Sequence, residues 1–424
     1  MNVGLCLSDP HPDHMGDGSK NRTLSASRYC GRYRLVDFVL SNMVNSGVFT
    51  IGIILNSHFQ SLIGHIGMGK EWDLARKTGG VAFFPSYMTD ERQSINNEPN
   101  GPLSRACEFL TETNAEFVIL ADSSVIYNMD YRDAIEAHKK SGADVTAIYT
   151  SRQITKEEAE FIVAFDIADD GRVIGVTTAV DAGTGATASG AGNDVNTGTT
   201  AAVGSKINAN SGTSSAADTD TNVNADANTT ADADQNTEYN VSLGAYIIPK
   251  KHFLDLIAGD NNCGVLKFSR VHIAGALNRL RVMAHEHKGY TAQICSLDTF
   301  FYYNMDILDI EKRNLLFDYG GRRIFTSRRD SLPTKYGKSA EIKNSIIADG
   351  CRIDGIVENS VISRYVEIGA GTVIKNCILQ ESTVVEGNTQ LDHIITDRGV
   401  RISENRSLTG CSTYPVYVER FRNV

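Results

Sequence analysis

The sequence predicts an α/β domain followed by a parallel β-helix, and three observations support this fold class. Apolar, strand-like segments alternate with amphipathic, helix-like segments over the first 150 residues. From Ala340 onward, apolar residues instead recur every five or six positions between Gly, Asn, Asp and Ser. Between the two regions, residues 181–236 contain no Phe, Tyr, Trp, Leu, Met, Pro, Cys, His, Arg or Glu. Such a segment cannot build a core, so we expect a disordered insertion.

The alternation in the first region favours parallel strands joined by covering helices. The strand candidates are 3–7, 50–55, 116–121, 143–149 and 241–249, and the helix candidates are 32–46, 58–65, 102–113 and 132–140. Residues 161–166 and 172–177 predict a hairpin with a glycine-containing turn. Ligands of such sheets bind at the carboxyl ends of the strands, so the loops after Leu7, Leu55 and Ala121 are the expected sites of chemistry.

The C-terminal period is that of a hexapeptide β-helix, in which three short strands form each coil. One apolar side chain per strand faces the helix axis. The candidates for these positions are Ile342, Ile347, Ile353, Ile362, Ile368, Val373, Ile378, Val384, Ile395 and Val400. We therefore predict an α/β domain at 1–315 with the insertion 181–236, a linker at 316–339 and the β-helix domain at 340–424.

The charge distribution argues against a general nucleic-acid or membrane-surface binder. The net charge is −10, and the insertion contributes 1 − 7 = −6 of it, which leaves −4 for the other 368 residues.

No stretch approaches the roughly 18 apolar residues of a membrane span, and the start lacks a basic leader, so we expect a cytoplasmic protein. The eight cysteines form no C-x-x-C pair, which predicts neither a zinc site nor a disulfide framework.

Two strand-end loops are candidates for phosphate or metal binding. The loop Ser8–Gly18 has two prolines, three aspartates and no adjacent glycines, so it is unsuited to cradle a triphosphate and resembles a solvated loop more than a metal site. Asp122 follows the strand 116–121 and is a candidate magnesium ligand. For a single carboxylate, a turn or capping role for Asp122 or Ser123 is the stronger interpretation.

Basic residues mark two further candidates. Arg32 and Arg34 flank Tyr33 at a predicted helix start, where guanidinium groups can bind the phosphate of a metabolite. An ion pair with Asp37 is an equal alternative for either arginine. The second cluster consists of Arg322, Arg323, Arg328 and Arg329. Its position before the β-helix favours a solvated linker over an anion pocket.

The segment Cys30–Asn42 closely resembles the GGRYRxIDFxLSN segment of bacterial glucose-1-phosphate adenylyltransferase, also called ADP-glucose pyrophosphorylase. Further matches occur in the order of that family at His65-Ile66-Gly67, 70–74, 127–131, Gly289-Tyr290, 304–306 and the β-helix. The resemblance covers essentially everything outside 178–238. It implies a Rossmann-like nucleotidyltransferase domain, a left-handed β-helix and a tetramer serving glycogen synthesis.

The departures from the family pattern concern catalysis. Ser8–Gly18 stands where the family has its GGxGTRL phosphate loop. The two positions of the metal carboxylates are degenerate, being Ser124 and Gln293, and the Glu-Lys-Pro sugar-phosphate site falls at the insertion and is absent. These losses together remove metal, triphosphate and sugar-phosphate binding, each of which supplies transition-state stabilisation.

The pattern is similar to the GlgD-type subunits of the family, which pair with a catalytic GlgC-type subunit. The resemblance implies a regulatory or scaffolding subunit of a heterotetramer, with no catalytic residue and no cofactor of its own, and Mg²⁺ bound by the catalytic partner. It also implies a phosphorylated-metabolite effector, contacted by Arg34 and the neighbouring Arg32. Two alternatives are an active nucleotidyltransferase that uses Asp122 or Asp130 as relocated metal ligand and a hexapeptide acyltransferase that uses His393.

Overall fold

The computed structural model describes residues 2–8, 22–55, 58–85, 102–154, 158, 161–178, 238–257 and 268–424. The predicted insertion 181–236 and the loop residues 9–18 lie outside the described residues. The thirteen described strands of the first region are β1 (Asn2–Leu7), β2 (Arg28–Tyr29), β3 (Tyr33–Arg34), β4 (Thr50–Leu55), β5 (Gly80–Pro85), β6 (Phe117–Asp122), β7 (Val125–Tyr127), β8 (Val145–Arg152), β9 (Val163–Ile167), β10 (Val173–Thr178), β11 (Tyr239–Pro249), β12 (Val282–Glu286) and β13 (Thr291–Gln293).

Helices pack against both faces of a nine-stranded sheet in this described part of the chain. They are α1 (Leu35–Asn45), α2 (Gln60–Ile66), α3 (Pro102–Glu112), α4 (Tyr131–Ser141), α5 (Lys250–Ile257), α6 (Leu297–Asp306) and α7 (Ile310–Phe317). Short helical turns occupy Leu24–Ala26, Lys70–Trp72, Phe268–Ile273, Ala274–Ala276 and Tyr319–Gly321. The predicted α/β class is therefore confirmed.

The sheet is mixed and has the order β10-β9-β11-β6-β1-β4-β5, with β8 paired to β11 and β12. The strands β6, β1, β4 and β5 are parallel, as the alternation predicts. β11 runs antiparallel to both β6 and β8. An antiparallel ladder needs no helical crossover, so a strand that follows the β9–β10 hairpin can pair in this direction. Leu7 pairs with Asp122, which brings the carboxyl ends of β1 and β6 level.

Helix α1 begins three residues later than the periodicity predicts. The reason is local, because Tyr33 and Arg34 pair with Arg28 and Tyr29 as a small antiparallel ladder. The Asp37 carboxylate then accepts a hydrogen bond of 2.9 Å from the Arg34 backbone N–H and caps the first turn. Arg34 is therefore the residue before the helix rather than a member of its first turn.

The C-terminal region is a left-handed parallel β-helix, as predicted, whose strands lie in three parallel sheets of five. The strands are β14 (Lys335–Tyr336), β15 (Glu341–Lys343), β16 (Ile346–Ile347), β17 (Arg352–Ile353), β18 (Ile356–Glu358), β19 (Val361–Ile362), β20 (Glu367–Ile368), β21 (Val373–Lys375), β22 (Ile378–Leu379), β23 (Val384–Val385), β24 (Gln390–Asp392), β25 (Ile394–Thr396), β26 (Arg401–Ile402), β27 (Ser407–Thr409) and β28 (Val416–Val418). The axis-facing positions predicted at Val373 and Val384 are wrong by one residue. The buried core side chains are Ile374 and Val385, because these alternate with the more exposed valines along each short strand.

One face of the β-helix packs on the α/β domain. Ile378 and Ile395 are buried with Phe38 and Phe300 in a shared apolar cluster instead of facing the helix axis. Gly31 approaches this face closely, with φ of +69°, and a Cβ there would lie 3.0 Å from the Ile362 carbonyl oxygen. A glycine is required because of both the backbone conformation and the contact. The two domains therefore share an apolar cluster at their junction, while the axis-facing side chains of the β-helix form a cluster of their own.

Candidate functional site

The carboxyl end of β6 forms a tight polar turn. The Asp122 carboxylate accepts a hydrogen bond of 2.7 Å from the Ser124 backbone N–H, which is the turn role favoured from the sequence. The Ser123 hydroxyl donates to the Leu7 carbonyl oxygen at 2.8 Å and joins the ends of β6 and β1. Gly244 of β11 packs against the turn, since a Cβ there would lie 2.7 Å from that of Asp122.

The two degenerate positions are neighbours in space. β7 pairs antiparallel with β13, so Gln293 lies opposite Val125, and the Ile294 N–H donates to the Ser124 carbonyl oxygen at 2.9 Å. Ser124 and Gln293 are both buried, and within the described chain the Ser124 Oγ and Gln293 Oε1 have no hydrogen-bond partner. Leaving a buried polar atom without a hydrogen bond costs about 1–3 kcal/mol. The two side chains therefore make this a polar position whose hydrogen bonds the described chain does not supply.

These two side chains do not fit a magnesium ion held against phosphates. Mg²⁺ in such sites is bound through carboxylates, whereas a hydroxyl and a carboxamide are neutral. Across the described ranges, no group of three or more His, Cys, Asp or Glu side chains is arranged to hold a metal. Asp122 is the carboxylate that belongs to this turn.

Asp130, the other candidate for a relocated metal ligand, and His393, the acyltransferase candidate, each contact neighbouring side chains. Asp130 caps α4, and its carboxylate binds the Arg132 backbone and guanidinium, with the closest oxygen 2.6 Å from Nη2. The His393 Nδ1 lies 2.7 Å from the Asp392 carboxylate, and its ring packs 5.9 Å from that of Phe301. The first-strand loop beyond Ser8 and the expected sugar-phosphate position after Thr178 lie outside the described residues.

The structure separates Arg32 from Arg34. Arg32 is exposed and lines a cleft of about 770 Å³ that runs from Tyr33 to Asp349 on the β-helix. Arg34 is buried, and its Nη1 donates to the carbonyl oxygen and hydroxyl of Ser61 at 2.7 and 3.0 Å. The predicted ion pair with Asp37 does not involve the Arg34 guanidinium, because that carboxylate binds the Arg34 backbone and His65.

Arg34 instead belongs to a group of five arginines, which we call the arginine cluster. Its members are Arg22, Arg28, Arg34, Arg329 and Arg398. Three of them converge on the Glu381 carboxylate, which is only 1% exposed. Arg28 pairs with Glu381, the Arg329 Nη1 lies at 2.7 Å and the Arg398 Nε at 3.4 Å. Removing one partner of such a buried pair costs about 3–5 kcal/mol, because the other charge is then left buried and unpaired.

The second carboxylate of this region is Asp397. It pairs with Arg22, and the Tyr417 hydroxyl donates to its Oδ2 at 2.9 Å. Asp37 adds a third carboxylate beside Arg34, so among the described residues five guanidinium groups face three carboxylates, which leaves an excess of two positive charges. Burial, and next the Arg28 guanidinium, lower the pKa of Arg34 to about 9, and burial lowers the pKa of Arg28 to about 10. A bound anion would relieve this repulsion.

The sequence interpretation missed most of this cluster. The linker arginines were expected to be solvated, and Arg323, Arg328 and Arg329 are exposed. Arg328 pairs with Glu71 at 3.2 Å, and Arg329 in addition binds Glu381 across the domain junction, which was not expected. Arg22, Arg28 and Arg398 gave no local signal, because they are distant in sequence and meet only through the packing of the β-helix on the α/β domain.

Comparison with known proteins shows which families and proteins the chain is similar to. Residues 21–177 match the nucleotidyl transferase family model, and residues 332–411 match the model of the GlmU-like C-terminal hexapeptide region. The chain is 25% identical over 422 residues to the glycogen biosynthesis protein GlgD of Bacillus subtilis, covering 99% of this chain and 95% of that protein. This chain is thus similar in sequence, over nearly its whole length, to a GlgD protein.

A second GlgD protein and an enzyme are similar at comparable identity over a smaller share of their length. The GlgD of Geobacillus stearothermophilus is 27% identical over 359 residues, covering 84% of this chain and 77% of that protein. The glucose-1-phosphate adenylyltransferase of Thermosipho africanus is 25% identical over 375 residues, covering 88% of this chain and 77% of the enzyme. Among the described residues, no helix is long and apolar enough to cross a membrane.

Proposed function

We propose that this chain is a regulatory or scaffolding subunit of a heteromeric glucose-1-phosphate adenylyltransferase of glycogen biosynthesis and is itself catalytically incompetent. Its relatives include proteins named for glycogen biosynthesis and proteins named for the enzyme activity. The observation that carries the proposal is the neutral pair Ser124 and Gln293, which lie together at the strand ends where the family resemblance implies two metal carboxylates.

The reaction explains why this pair matters. The enzyme transfers an adenylyl group from ATP to glucose 1-phosphate, and its transition state concentrates negative charge on phosphate oxygens. A metal held by carboxylates supplies several kcal/mol of stabilisation to such a step. A serine hydroxyl and a glutamine amide supply no charge to hold that metal, so the proposal assigns magnesium binding to a catalytic GlgC-type partner in a heterotetramer.

The arginine cluster supports the regulatory part of the proposal. Its excess positive charge lies where strand β2, the linker and the β-helix meet, and Arg34 is buried there without a described carboxylate on its guanidinium. A phosphorylated metabolite supplies the missing negative charge through charge-assisted hydrogen bonds. Binding at a junction of two domains can alter their packing and so influence an assembled partner.

The substitution Arg34→Ala tests the effector site. We expect it to weaken activation of the mixed complex by a phosphorylated sugar about tenfold or more, because one charge-assisted contact contributes about 1.5–3 kcal/mol. The complex itself should persist, since Arg34 lies inside the chain. The measurement is the effector concentration for half-maximal activation of the co-purified complex.

Arg32→Ala is the comparison variant. Arg32 is exposed in the separate cleft, so a smaller effect is expected from it than from Arg34→Ala. An unchanged effector response in the Arg34 variant would argue against the site, and equal responses in both variants would extend the site to Arg32.

A second candidate function is an active nucleotidyltransferase with a relocated metal ligand. Asp122 favours it, because this carboxylate belongs to the same turn as Ser124. Formation of ADP-glucose from ATP and glucose 1-phosphate by the purified chain, lost in Asp122→Ala but kept in Asp130→Ala, would establish this candidate. Absence of product from the purified chain under conditions in which a catalytic homologue is active supports the regulatory proposal.

A further inference from the structure

Glu381 occupies the centre of the arginine cluster and comes from the β-helix itself. It lies in the turn between β22 and β23, and its two carboxylate oxygens are shared among guanidiniums from three parts of the chain. Arg28 belongs to β2 of the α/β domain, Arg329 to the linker, and Arg398 to the turn after β25. An acceptor held by three guanidiniums is the arrangement expected for a bound oxyanion.

Burial distinguishes this contact from an ordinary surface ion pair. The Glu381 and Arg28 side chains are 1% and 6% exposed. The Arg329 and Arg398 side chains are 39% and 46% exposed, so solvent reaches the same carboxylate group from one side. A soluble oxyanion can therefore approach the outer arginines while the inner side stays sealed by Arg28.

We propose that the Glu381 carboxylate is a tethered occupant of an anion site and competes with phosphate for the guanidiniums of Arg28, Arg329 and Arg398. This inference deepens the proposed regulatory function and rests on it for its biological meaning. A tethered group has a high effective concentration at its site, so a free anion must displace it. The excess charge of the arginine cluster explains why displacement is feasible: the described carboxylates Asp397, Glu381 and Asp37 neutralise only three of the five guanidiniums.

The exchange also predicts a structural consequence. While Glu381 holds Arg28 and Arg329, the β-helix is joined to the α/β domain and to the linker by charge-assisted contacts. When phosphate takes over the guanidiniums, these direct contacts from the β-helix turn are lost. The anion would thus weaken one attachment of the junction and replace it by a contact of its own.

The test compares the wild-type chain with Glu381→Gln, using inorganic phosphate as the probe. Phosphate affinity is measured by titration calorimetry, and the thermal midpoint is followed against sodium phosphate, with sodium chloride at matched ionic strength as reference. We expect Glu381→Gln to bind phosphate about tenfold or more tightly than wild type. Its midpoint should be lower without phosphate and should rise with phosphate more steeply than that of wild type.

Glu386→Gln is the matched control, because Glu386 pairs with Arg401 on the same β-helix, but its side chain is 31% exposed. It should bind phosphate as wild type does. If Glu381→Gln does not fold, Glu381→Asp retains the charge on a shorter side chain, and we expect a smaller gain in phosphate affinity from it. Equal phosphate affinity in wild type and in the folded Glu381 variant would overturn the inference.

This test is separate from that of the proposed function. It needs only the isolated full chain, whereas the regulatory role is measured on the mixed complex. Suppose that Glu381→Gln binds phosphate more tightly while Arg34→Ala leaves the effector response unchanged. This result would support the inference that Glu381 occupies an anion site, and it would reject the regulatory role. Phosphate binding by neither wild type nor a folded Glu381 variant would reject the anion site itself.

Discussion

At the residue scale, Ser124 and Gln293 lie close together along the chain ladder, but their side chains form no hydrogen bond with each other in the described structure. Their side-chain oxygens are buried and unpaired in the described chain, although the backbones around them are joined by the β7–β13 ladder. A site that needed these residues only for packing would be expected to satisfy them. Neither side chain is held by a hydrogen bond that would account for its polarity.

Introducing two carboxylates tests whether these side chains converge. We expect the double variant Ser124→Asp, Gln293→Asp to bind Mg²⁺, because paired carboxylates supply the hard oxygen ligands that this ion takes. Without the ion, the variant should be less stable than wild type, since two buried like charges repel. Isothermal titration with MgCl₂ measures the binding, and the two single variants serve as controls. Absence of Mg²⁺ binding by the folded double variant would show that the two side chains do not converge.

A pH prediction follows from His287. This side chain is buried between the rings of Tyr127 and Tyr319, and burial, aided by the Arg322 charge, lowers its pKa from 6.5 to about 4. Between these values the unfolded chain binds a proton that the folded chain does not. The contribution of neutral His287 to the free energy of unfolding is therefore fully present above pH 6.5. It is lost as the pH falls toward 4, by up to about 1.4 kcal/mol per pH unit.

The variant His287→Phe isolates this contribution, because phenylalanine retains an aromatic ring between the two tyrosines. We expect the thermal midpoint of this variant to fall less steeply with acid than that of wild type. His58→Asn, at an exposed position, is the control and should follow wild type. Identical acid sensitivity in wild type and His287→Phe would assign the titration to other groups.

At the scale of elements, the β-helix core is a set of stacked columns. One column consists of Ile342, Val357, Ile374, Leu391 and Leu408, each paired in register with the next coil. Ile374 in the middle is fully buried, whereas Ile342 in the first coil is 37% exposed. Apolar contacts on both sides therefore stabilise the middle coils, and the first coil has only one such neighbour.

This difference predicts unequal costs for the same substitution. Ile374→Ala should lower the free energy of unfolding by about 2–5 kcal/mol, because it leaves a cavity between two coils. Ile342→Ala should cost under about 1 kcal/mol, since its side chain already contacts solvent. Urea unfolding of the two variants measures the difference. Equal costs would contradict the described stacking.

The sequence predicted those elements that depend on local pattern. β4 and the start of α3 were predicted at the residues where they occur, and β1, β6 and α4 within two residues. Side-chain direction within the two-residue strands was less predictable, because adjacent apolar residues such as Val384 and Val385 fit the period equally well. The start of α1 depends on pairing with Arg28 and Tyr29, which no helical period records.

At the scale of the whole molecule, the junction between the domains carries the features that sequence reasoning could not find. The shared apolar cluster and the arginine cluster both combine residues that are hundreds of positions apart, such as Arg22 and Asp397. Local sequence pattern gives the type of an element but not which surfaces meet. The matched segment Cys30–Asn42 is the exception, since its resemblance to the family indicated Arg34, which lies in the arginine cluster.

The central claim is that this chain acts through a catalytic partner. Co-expression with a GlgC-type paralogue from the same genome, followed by affinity purification through a tag on this chain, tests it most directly. The account predicts that the paralogue co-purifies and that the complex responds to a phosphorylated metabolite differently from the paralogue alone. A paralogue that does not co-purify and whose kinetics are unchanged by this chain would contradict the claim.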